Sequence, residues 1–430
     1  MDNIGFLIKE ARIRQKMKQI TLAKGICTPS YLSKIERKRV IASSEITTLL
    51  EERLGIEQDY LIIQKDTSVL QELTLIYKQA ILFKDKKNIK KQLEKYLKQD
   101  FIFNNDSNFY LLKLIQLRLF LIIDEASRIL PLFKTLNNID INHFSSHQQF
   151  ILKLNQGIFF LIEWEYKKAL DVLEEALNLI NQFPIEDWEL ADFYYVLSLS
   201  YLSNSQNLNT IDYSQKCLKF FKDHLFFERA IDSYLLIAIA QKRNSQFKNA
   251  EENLELAQKL ATERKLNEAL GKIHQNLGSL YSIQGDSTQS IQQYKLSLKF
   301  KNGTANYLIS YLSLIQEYSK KRSVSQIIRW CDKGLVEIET KSIKHSSPYY
   351  HHFNIYLSLY SPRVENRFKT IKKSIKYFEN KDDYRHVHKY SLLLANLYFE
   401  ENMFKNAGIY YRKSNEFLFH QKTISTWEDL

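Results

Sequence analysis

The spacing of apolar residues predicts helices along almost the whole chain. Apolar positions recur three or four residues apart, for example at Leu70, Leu73, Ile76 and Tyr77. This spacing places them on one face of an α-helix, the face that packs against the rest of the protein. Beyond residue 100 nearly all of the sequence follows the same pattern. We therefore expect an all-α protein.

The first sixty residues predict a compact helical domain. A helix is expected at residues 4–16, a short one at 19–24 with Ile20, Leu22 and Ala23 on its apolar side, and another from residue 43 or 44 to Gly55. Gly25 provides the left-handed backbone that commonly ends a helix. This is a usual size for a five-helix module.

A further short helix is predicted directly after Gly25. Thr28 is placed to cap it, and Pro29 follows at the first helical position, where a missing N–H has no cost. Leu32 and Ile35 lie three residues apart on the side that should be buried. The residues left to face outward are Ser30, Tyr31, Lys34, Arg37, Lys38 and Arg39.

Two short helices joined by a tight turn make a helix-turn-helix, whose second helix lies in the major groove of DNA. The order of residues resembles the lambda-repressor-like (Xre-type) family: Gln19 opens the first helix, Leu22-Ala23 follows, and S-Y-L-S-K-I-E stands at 30–36. The resemblance implies an ion pair between Arg12 and Glu36.

The sequence departs from that family at two places. Lys18 replaces the usual capping threonine before the glutamine, and Arg37-Lys38 replaces the usual Asn-Gly. The second change adds positive charge beside the recognition helix. We expect Thr28, Ser30 and Lys34 to reach base edges, and we expect phosphates to be held by Gln19, Tyr31, Arg37, Lys38 and Arg39.

The charge distribution supports an anionic partner. The 430-residue chain has a formal net charge of +12, which alone does not separate nucleic acid from membrane. Up to residue 40, however, ten basic residues stand against three acidic ones: Lys9, Arg12, Arg14, Lys16, Lys18, Lys24, Lys34, Arg37, Lys38 and Arg39 against Asp2, Glu10 and Glu36. Double-stranded DNA is therefore the expected partner of this region.

No pattern predicts catalysis, a metal or a cofactor. The three cysteines are far apart, which indicates a reducing compartment and hence the cytoplasm. The most apolar run, 109–123, is interrupted by Lys113, Gln116 and Arg118, which argues against a membrane span. The pairs His351-His352 and His386/His388 point in different directions on a helix, so we expect solvated positions and not ligands.

Residues 58–99 lack glycine and proline and keep helical spacing, which predicts a stiff helical connection. Beyond it the sequence repeats. The unit at 274–286, with Gly278, Tyr281, Gly285 and Tyr294, resembles the tetratricopeptide (TPR) repeat. Within this repeat unit, Gly278 should let the neighbouring helix approach closely. Tyr281 and Tyr294 should fill the space between the two helices of the pair. Weaker copies include Gly157, Ala238 and Ala395, and they recur roughly every forty residues.

Stacked helix pairs form a superhelix with a concave face. Pro131, Pro184, Pro348 and Pro362 should lie where helices begin or end. The predicted domains are residues 1–64 for the DNA-binding domain, 65–100 for the linker helix and first repeat helices, and 101–430 for the TPR-like domain. By resemblance to TPR domains that hold a peptide carboxylate, the expected groove residues are Asn155, Lys272, Asn276, Lys389 and Asn396.

The combination of this head with TPR-like repeats resembles the RRNPP family of peptide-responsive regulators, in particular its NprR/PlcR-like branch. The resemblance implies a cytoplasmic homodimer that reads a two-fold DNA operator and is controlled by a short signalling peptide in the repeat groove (quorum sensing). The alternative is a protein-interaction regulator whose repeats capture a response regulator or other signalling protein. Neither function is that of an enzyme.

Overall fold

The computed structural model describes residues 4–37, 39–55, 61–97, 106–301, 307–341, 347–362 and 366–422. Within these ranges the regular elements are α-helices with two short 3-10 turns, at Ile141–His143 and Ile180–Gln182, and there is no strand. The all-α prediction is confirmed. The chain divides into two compact units, residues 1–246 and 247–430. Among the described helices, none combines the length and the apolar character that crossing a membrane requires.

Four helices open the first unit: α1 (Ile4–Arg14), α2 (Gln19–Ala23), α3 (Pro29–Glu36) and α4 (Ser44–Leu54). They enclose a small core that includes Ile8, Leu22, Leu32, Ile35 and Leu50. Ile20 was expected on the apolar side of α2 but is 69% exposed. The reason is geometric: α2 is only five residues long, and Ile20 lies about 200° around the helix from the buried Leu22.

The predicted helical connection continues into the body of the first unit. It consists of α5 (Leu61–Phe83) and α6 (Lys86–Leu97), followed by α7 (Asp106–Ile123). Leu73 and Tyr77 of α5 are buried in the large core of this unit, and the Tyr77 ring meets Trp188 edge-to-face at 5.1 Å. The domain boundary predicted at residue 64 therefore falls inside a continuous helix.

The remaining helices follow one another as antiparallel pairs. In the first unit they are α8 (Ala126–Asn137), α9 (Ser146–Ile162), α10 (Tyr166–Leu179), α11 (Asp187–Ser203), α12 (Asn207–Asp223) and α13 (Phe227–Arg243). In the second unit they are α14 (Phe247–Glu263), α15 (Asn267–Ile283), α16 (Ser287–Phe300), α17 (Tyr307–Lys320), α18 (Val324–Thr340), α19 (Pro348–Tyr360), α20 (Arg367–Glu379), α21 (Tyr384–Glu400) and α22 (Phe404–Lys422).

The repeat period is confirmed at about forty residues. Helices α11, α13, α15 and α17 begin at Asp187, Phe227, Asn267 and Tyr307, which are 40 residues apart in each step. Most helices of this series are 17 residues long. Longer helices therefore account for a period above the usual thirty-four residues of TPR repeats.

Glycines at the predicted packing points allow close approach of paired helices. A Cβ atom on Gly278 would lie 2.6 Å from the ring of Tyr294, and one on Gly157 would lie 2.5 Å from the side chain of Leu173. Tyr294 is buried as predicted. Tyr281 is only half-buried and donates its hydroxyl hydrogen to Glu251 of α14, 2.7 Å away. Tyr281 therefore joins α15 to the preceding helix and does not fill the space between α15 and α16, as had been expected.

Four prolines were predicted to lie at helix boundaries. Three of them do, and Pro131 does not. Pro348 opens α19, and Pro184 and Pro362 lie between helices. Pro131 is inside α8, where it removes one backbone hydrogen bond. The buried Phe133, which stacks on Phe159 with ring centroids 3.9 Å apart, holds the helix against the core and offsets that loss.

Candidate DNA interface and repeat surface

Helix α3 is positioned by its own sequence. The Thr28 hydroxyl accepts a hydrogen bond from the backbone N–H of Tyr31 at 3.1 Å, and Pro29 occupies the first helical position. Both predictions are confirmed. Leu32 and Ile35 are 0% and 2% exposed, so they fix which face of α3 is left for solvent.

An ion pair joins α3 to α1, as the resemblance implied. Arg12 donates to both carboxylate oxygens of Glu36, with Nε–Oε1 2.6 Å and Nη2–Oε2 2.9 Å. Gln19, at the start of α2, donates to the same carboxylate at 2.6 Å. The Glu36 side chain is only 2% exposed. One buried carboxylate therefore ties three helices into a fixed arrangement.

Backbone contacts make the head still more rigid. A Cβ atom on Gly5 would lie 2.1 Å from the carbonyl oxygen of Ile35, so only glycine lets α1 approach α3 this closely. Arg53 of α4 donates to the carbonyl oxygen of Leu22 at 3.1 Å, at the C-terminal end of α2. Neither contact is predictable from local sequence, because Gly5 and Arg53 meet partners that are distant along the chain.

The solvent face of α3 is basic. Thr28, Ser30, Lys34, Arg37 and Arg39 are exposed. An open depression of about 760 Å³ lies between α2 and α3, and its lining includes Lys18, Gln19, Ser30, Lys34, Arg37 and Arg39. Such a surface suits phosphate oxygens along a groove.

Three further residues that were predicted to contact DNA do not belong to this exposed group. Tyr31 is half-buried and packs against the core of the head. Gln19 directs its amide to Glu36, as described above, although it also lines the depression. Lys38 lies outside the described residues. The residues most available to DNA are therefore the serine, lysine and arginines of the α3 face.

The five residues predicted to hold a peptide lie in different surroundings. Asn155 is 0% exposed, and its amide donates to the carbonyl oxygen of Leu114 at 2.9 Å. A ligand cannot reach Asn155 in this conformation, so the prediction that it contacts a ligand is corrected. Asn155 instead joins α9 to α7. The position looked like a groove position because the repeat register alone does not show which neighbour covers it.

The other four lie in the second unit and are accessible. Lys272 and Asn276 are half-buried one turn apart on α15, and the Asn276 amide donates to the Lys272 carbonyl oxygen. On α21, Lys389 and Asn396 are both exposed. Partial desolvation of the ammonium group and the like charge of Arg385 lower the pKa of Lys389. These four side chains are accessible to a ligand from solvent.

The histidine pairs are structural rather than solvated, contrary to expectation. His351 and His352 are 7% and 3% exposed, and His352 Nδ1 hydrogen-bonds the hydroxyl of Tyr390. His386 hydrogen-bonds Asp383 at 2.7 Å. Burial lowers the pKa of His351 to about 4, helped by the charge of Lys373. Burial also lowers the pKa of His352, so the rings of His351 and His352 are packed as neutral core groups.

A buried ionic cluster in the first unit was not predicted. Asp192 of α11 is 0% exposed and accepts from Arg118 of α7 at 2.6 Å and from Arg229 of α13 at 2.8 Å. The sequence signal was the arginine inside an otherwise apolar run at 109–123. The ionic cluster locks α7, α11 and α13 in register, since separating any one of these helices would leave a buried charge without its partner.

Comparisons with known proteins agree with this organisation. The helix-turn-helix family model HTH_3 matches residues 8–61. The chain is 28% identical over 405 residues to the transcriptional activator NprA of Geobacillus stearothermophilus, covering 92% of this chain and 98% of NprA.

Two solved structures share the fold. The apo form of the quorum sensor NprR from B. thuringiensis has a TM-score of 0.65 at 18% identity and covers 83% of this chain and 99% of NprR. A Rap protein complexed with Competence and Sporulation Factor has a TM-score of 0.66 at 14% identity and covers 84% and 99%. The chain therefore combines a helix-turn-helix head with the helical-repeat fold of NprR, and it is similar to NprA over nearly the whole length of both chains.

Proposed function

We propose that the protein is a cytoplasmic, sequence-specific transcriptional regulator whose DNA binding is controlled by a short signalling peptide held by its TPR-like repeats. The observation that carries the DNA-binding part is the solvent face of α3. Ser30 and Lys34 are exposed on a helix that the Arg12–Glu36 ion pair fixes in place, and Arg37 and Arg39 are exposed directly after it. A rigid basic helix with free polar side chains is what reading the major groove requires.

The peptide-binding part rests on the repeats and on relatives. NprR, which shares this fold, has also been solved in complex with its cognate peptide NprX, with a TM-score of 0.60 and 18% identity. In this chain Lys272, Asn276, Lys389 and Asn396 are the proposed contacts. An asparagine amide can donate to and accept from a peptide backbone, and a lysine ammonium can meet a carboxylate. A homodimer on a two-fold operator completes the proposal.

The DNA-binding test begins with selection of preferred duplexes from a random pool by the full chain. Lys34→Ala should then relax preference at one base position at a cost of about 1–3 kcal/mol, because a base-edge contact is lost. Arg37→Ala is the matched control: it should weaken all sequences alike and reduce the salt slope by about 1, because a phosphate contact is lost. Unchanged binding by Lys34→Ala to every operator variant would show that α3 does not read bases.

The peptide test is calorimetric titration with short synthetic peptides encoded next to the gene. Wild type should release or absorb heat with one of them, and Asn276→Ala should bind it more weakly. Asn249→Ala, at an exposed position of α14, is the matched control and should bind normally. Absence of heat with every such peptide would count against control by a neighbouring signal.

A second function, capture of a response regulator by the repeats, is supported by the fold shared with Rap proteins. Pull-down of a response regulator by the full chain, compared with a DNA footprint of the same preparation, distinguishes it. Capture without any footprint would favour this second function over transcriptional regulation.

A further inference from the structure

The second unit carries an open depression of about 800 Å³ that the proposed function does not use. Its lining comes from α16 and α18, with tyrosines of α17 between them. None of the five residues predicted to hold a signalling peptide lines it. Its volume lies within the range of ligand sites in proteins.

Positive charge dominates this depression. Six cationic side chains line it and one carboxylate, Glu337, accompanies them: Lys295, Lys299, Lys301, Arg329, Lys333 and Lys341. Glu337 accepts a hydrogen bond from the Tyr307 hydroxyl, so part of its capacity as an acceptor is already used. The site therefore has an excess of positive charge that favours an anion.

The cations are arranged as two rows. Arg329 and Lys333 lie one turn apart on α18, Glu337 lies one turn further along, and Lys341 directly follows the end of the helix. Lys295 and Lys299 lie one turn apart on α16. From Arg329 to Lys341 the row extends about 18 Å along the helix axis, at 1.5 Å per residue. This length matches an extended segment of roughly five residues better than a compact anion.

These exposed cations lack the partners that other exposed cations of the chain have. Lys216 pairs with Asp212 and Lys167 with Asp171, each one helical turn away. Arg329 and Lys333 are exposed, and over the described ranges no carboxylate lies within ion-pair distance of either. One turn before Arg329 is Ser325, which carries no charge. Their charges are therefore available to a ligand.

An aromatic group adds a donor and a packing surface. Trp330 lines the depression, and Lys333 lies 5.0 Å from the centre of its ring. The Trp330 side chain is 92% buried, since its exposed fraction is 8%, and no described residue accepts from its indole Nε1. A buried indole N–H without an acceptor is uncommon, and a ligand carboxylate or carbonyl oxygen that reached it from the depression would satisfy it.

We propose that this depression binds an acidic segment of a partner protein, with carboxylates along the two cationic rows and an apolar side chain beside Trp330 and the α17 tyrosines. Arginine and lysine both form charge-assisted hydrogen bonds with carboxylates. The site has the charge and the length that complement such a segment.

Fluorescence anisotropy of a labelled ten-residue peptide, made of glutamates with one leucine and one phenylalanine, tests the proposal with the full chain. Wild type should bind it at low salt, and the same peptide with glutamines in place of glutamates should not bind. Arg329→Glu/Lys333→Glu should weaken binding at least tenfold. Lys248→Glu/Lys259→Glu, which removes equal charge from exposed positions of α14, should change it less than threefold.

Three results would overturn the proposal. One is no binding of the acidic peptide at low salt, and another is equal weakening by the two double variants, which would mean attraction to overall charge only. The third is tighter, groove-dependent binding of a single-stranded oligonucleotide of equal charge, which would make nucleic acid the ligand. Circular dichroism melting of each variant, unchanged from wild type, ensures that the comparison concerns folded protein.

Discussion

Removing the Glu36 carboxylate should unfold the DNA-binding head while leaving the repeats folded. In Glu36→Ala the Arg12 guanidinium, 12% exposed, loses both of its bonds to the carboxylate, and Gln19 loses its acceptor. Breaking a buried pair in this way costs about 3–5 kcal/mol. A domain of roughly fifty residues has about 3–8 kcal/mol of stability in total. The loss is therefore comparable to the whole stability of the head.

Hydrogen exchange measured by mass spectrometry on the full chain can separate the two regions. In Glu36→Ala, peptides from 4–55 should exchange rapidly, and peptides from the repeats should stay protected. DNA binding in a mobility-shift assay should be lost in parallel. The matched control is Arg12→Met/Glu36→Leu, which replaces both charges by apolar groups of similar size and should recover protection, because no uncompensated charge remains.

Two results would refute this reasoning. If Glu36→Ala left the protection of 4–55 within about 1 kcal/mol of wild type, the buried pair would contribute no more than an exposed one. If the double variant were as unprotected as Glu36→Ala, loss of the carboxylate itself, and not the uncompensated charge, would be the cause.

Three further outcomes follow from the repeat units. Gly278→Ala should destabilise the protein by about 1–3 kcal/mol in urea unfolding, because its Cβ would lie 2.6 Å from the Tyr294 ring, and the cost should shrink in a Tyr294→Leu background. Asp192→Asn should cost about 3–5 kcal/mol by the same measurement, because two buried guanidinium groups lose their countercharge. Burial lowers the pKa of His351 to about 4 in the folded state, so the unfolded state binds a proton first as the pH drops. The free energy of unfolding should therefore fall as the pH drops from about 6.5 towards 4. In thermal melts, His351→Gln should flatten that pH dependence.

The helices and the head were predictable because their signals are local. Apolar spacing fixes the buried face of a helix, and Thr28-Pro29 fixes where α3 begins. The forty-residue period also appears directly in the sequence. In the repeats, contacts between helices were predictable where a small residue marked them, as at Gly278. In the head, the Arg12–Glu36 pair followed from the family resemblance.

The turns between helices show where local signals stop. Gly285 has a φ of +86° and lies two residues before the start of α16. Leu225, Ser245 and Lys265 occupy the same place before their helices with φ of 61°, 59° and 55°. Left-handed backbone is unfavourable for such residues, so the packing of the flanking helices, and not the residue type, determines these turns.

The amino-acid sequence by itself determined that the protein is helical, that its head is basic, and that Leu32 and Ile35 of α3 are buried, because helix periodicity and charge depend on neighbouring residues. Only the tertiary structure decided that Asn155 is buried against Leu114, that Asp192 joins two arginines, and that cations of α16 and α18 line one depression. Each of these depends on which distant helix covers a given face, and a repeating pattern assigns the same face to every copy whether or not a neighbour covers it.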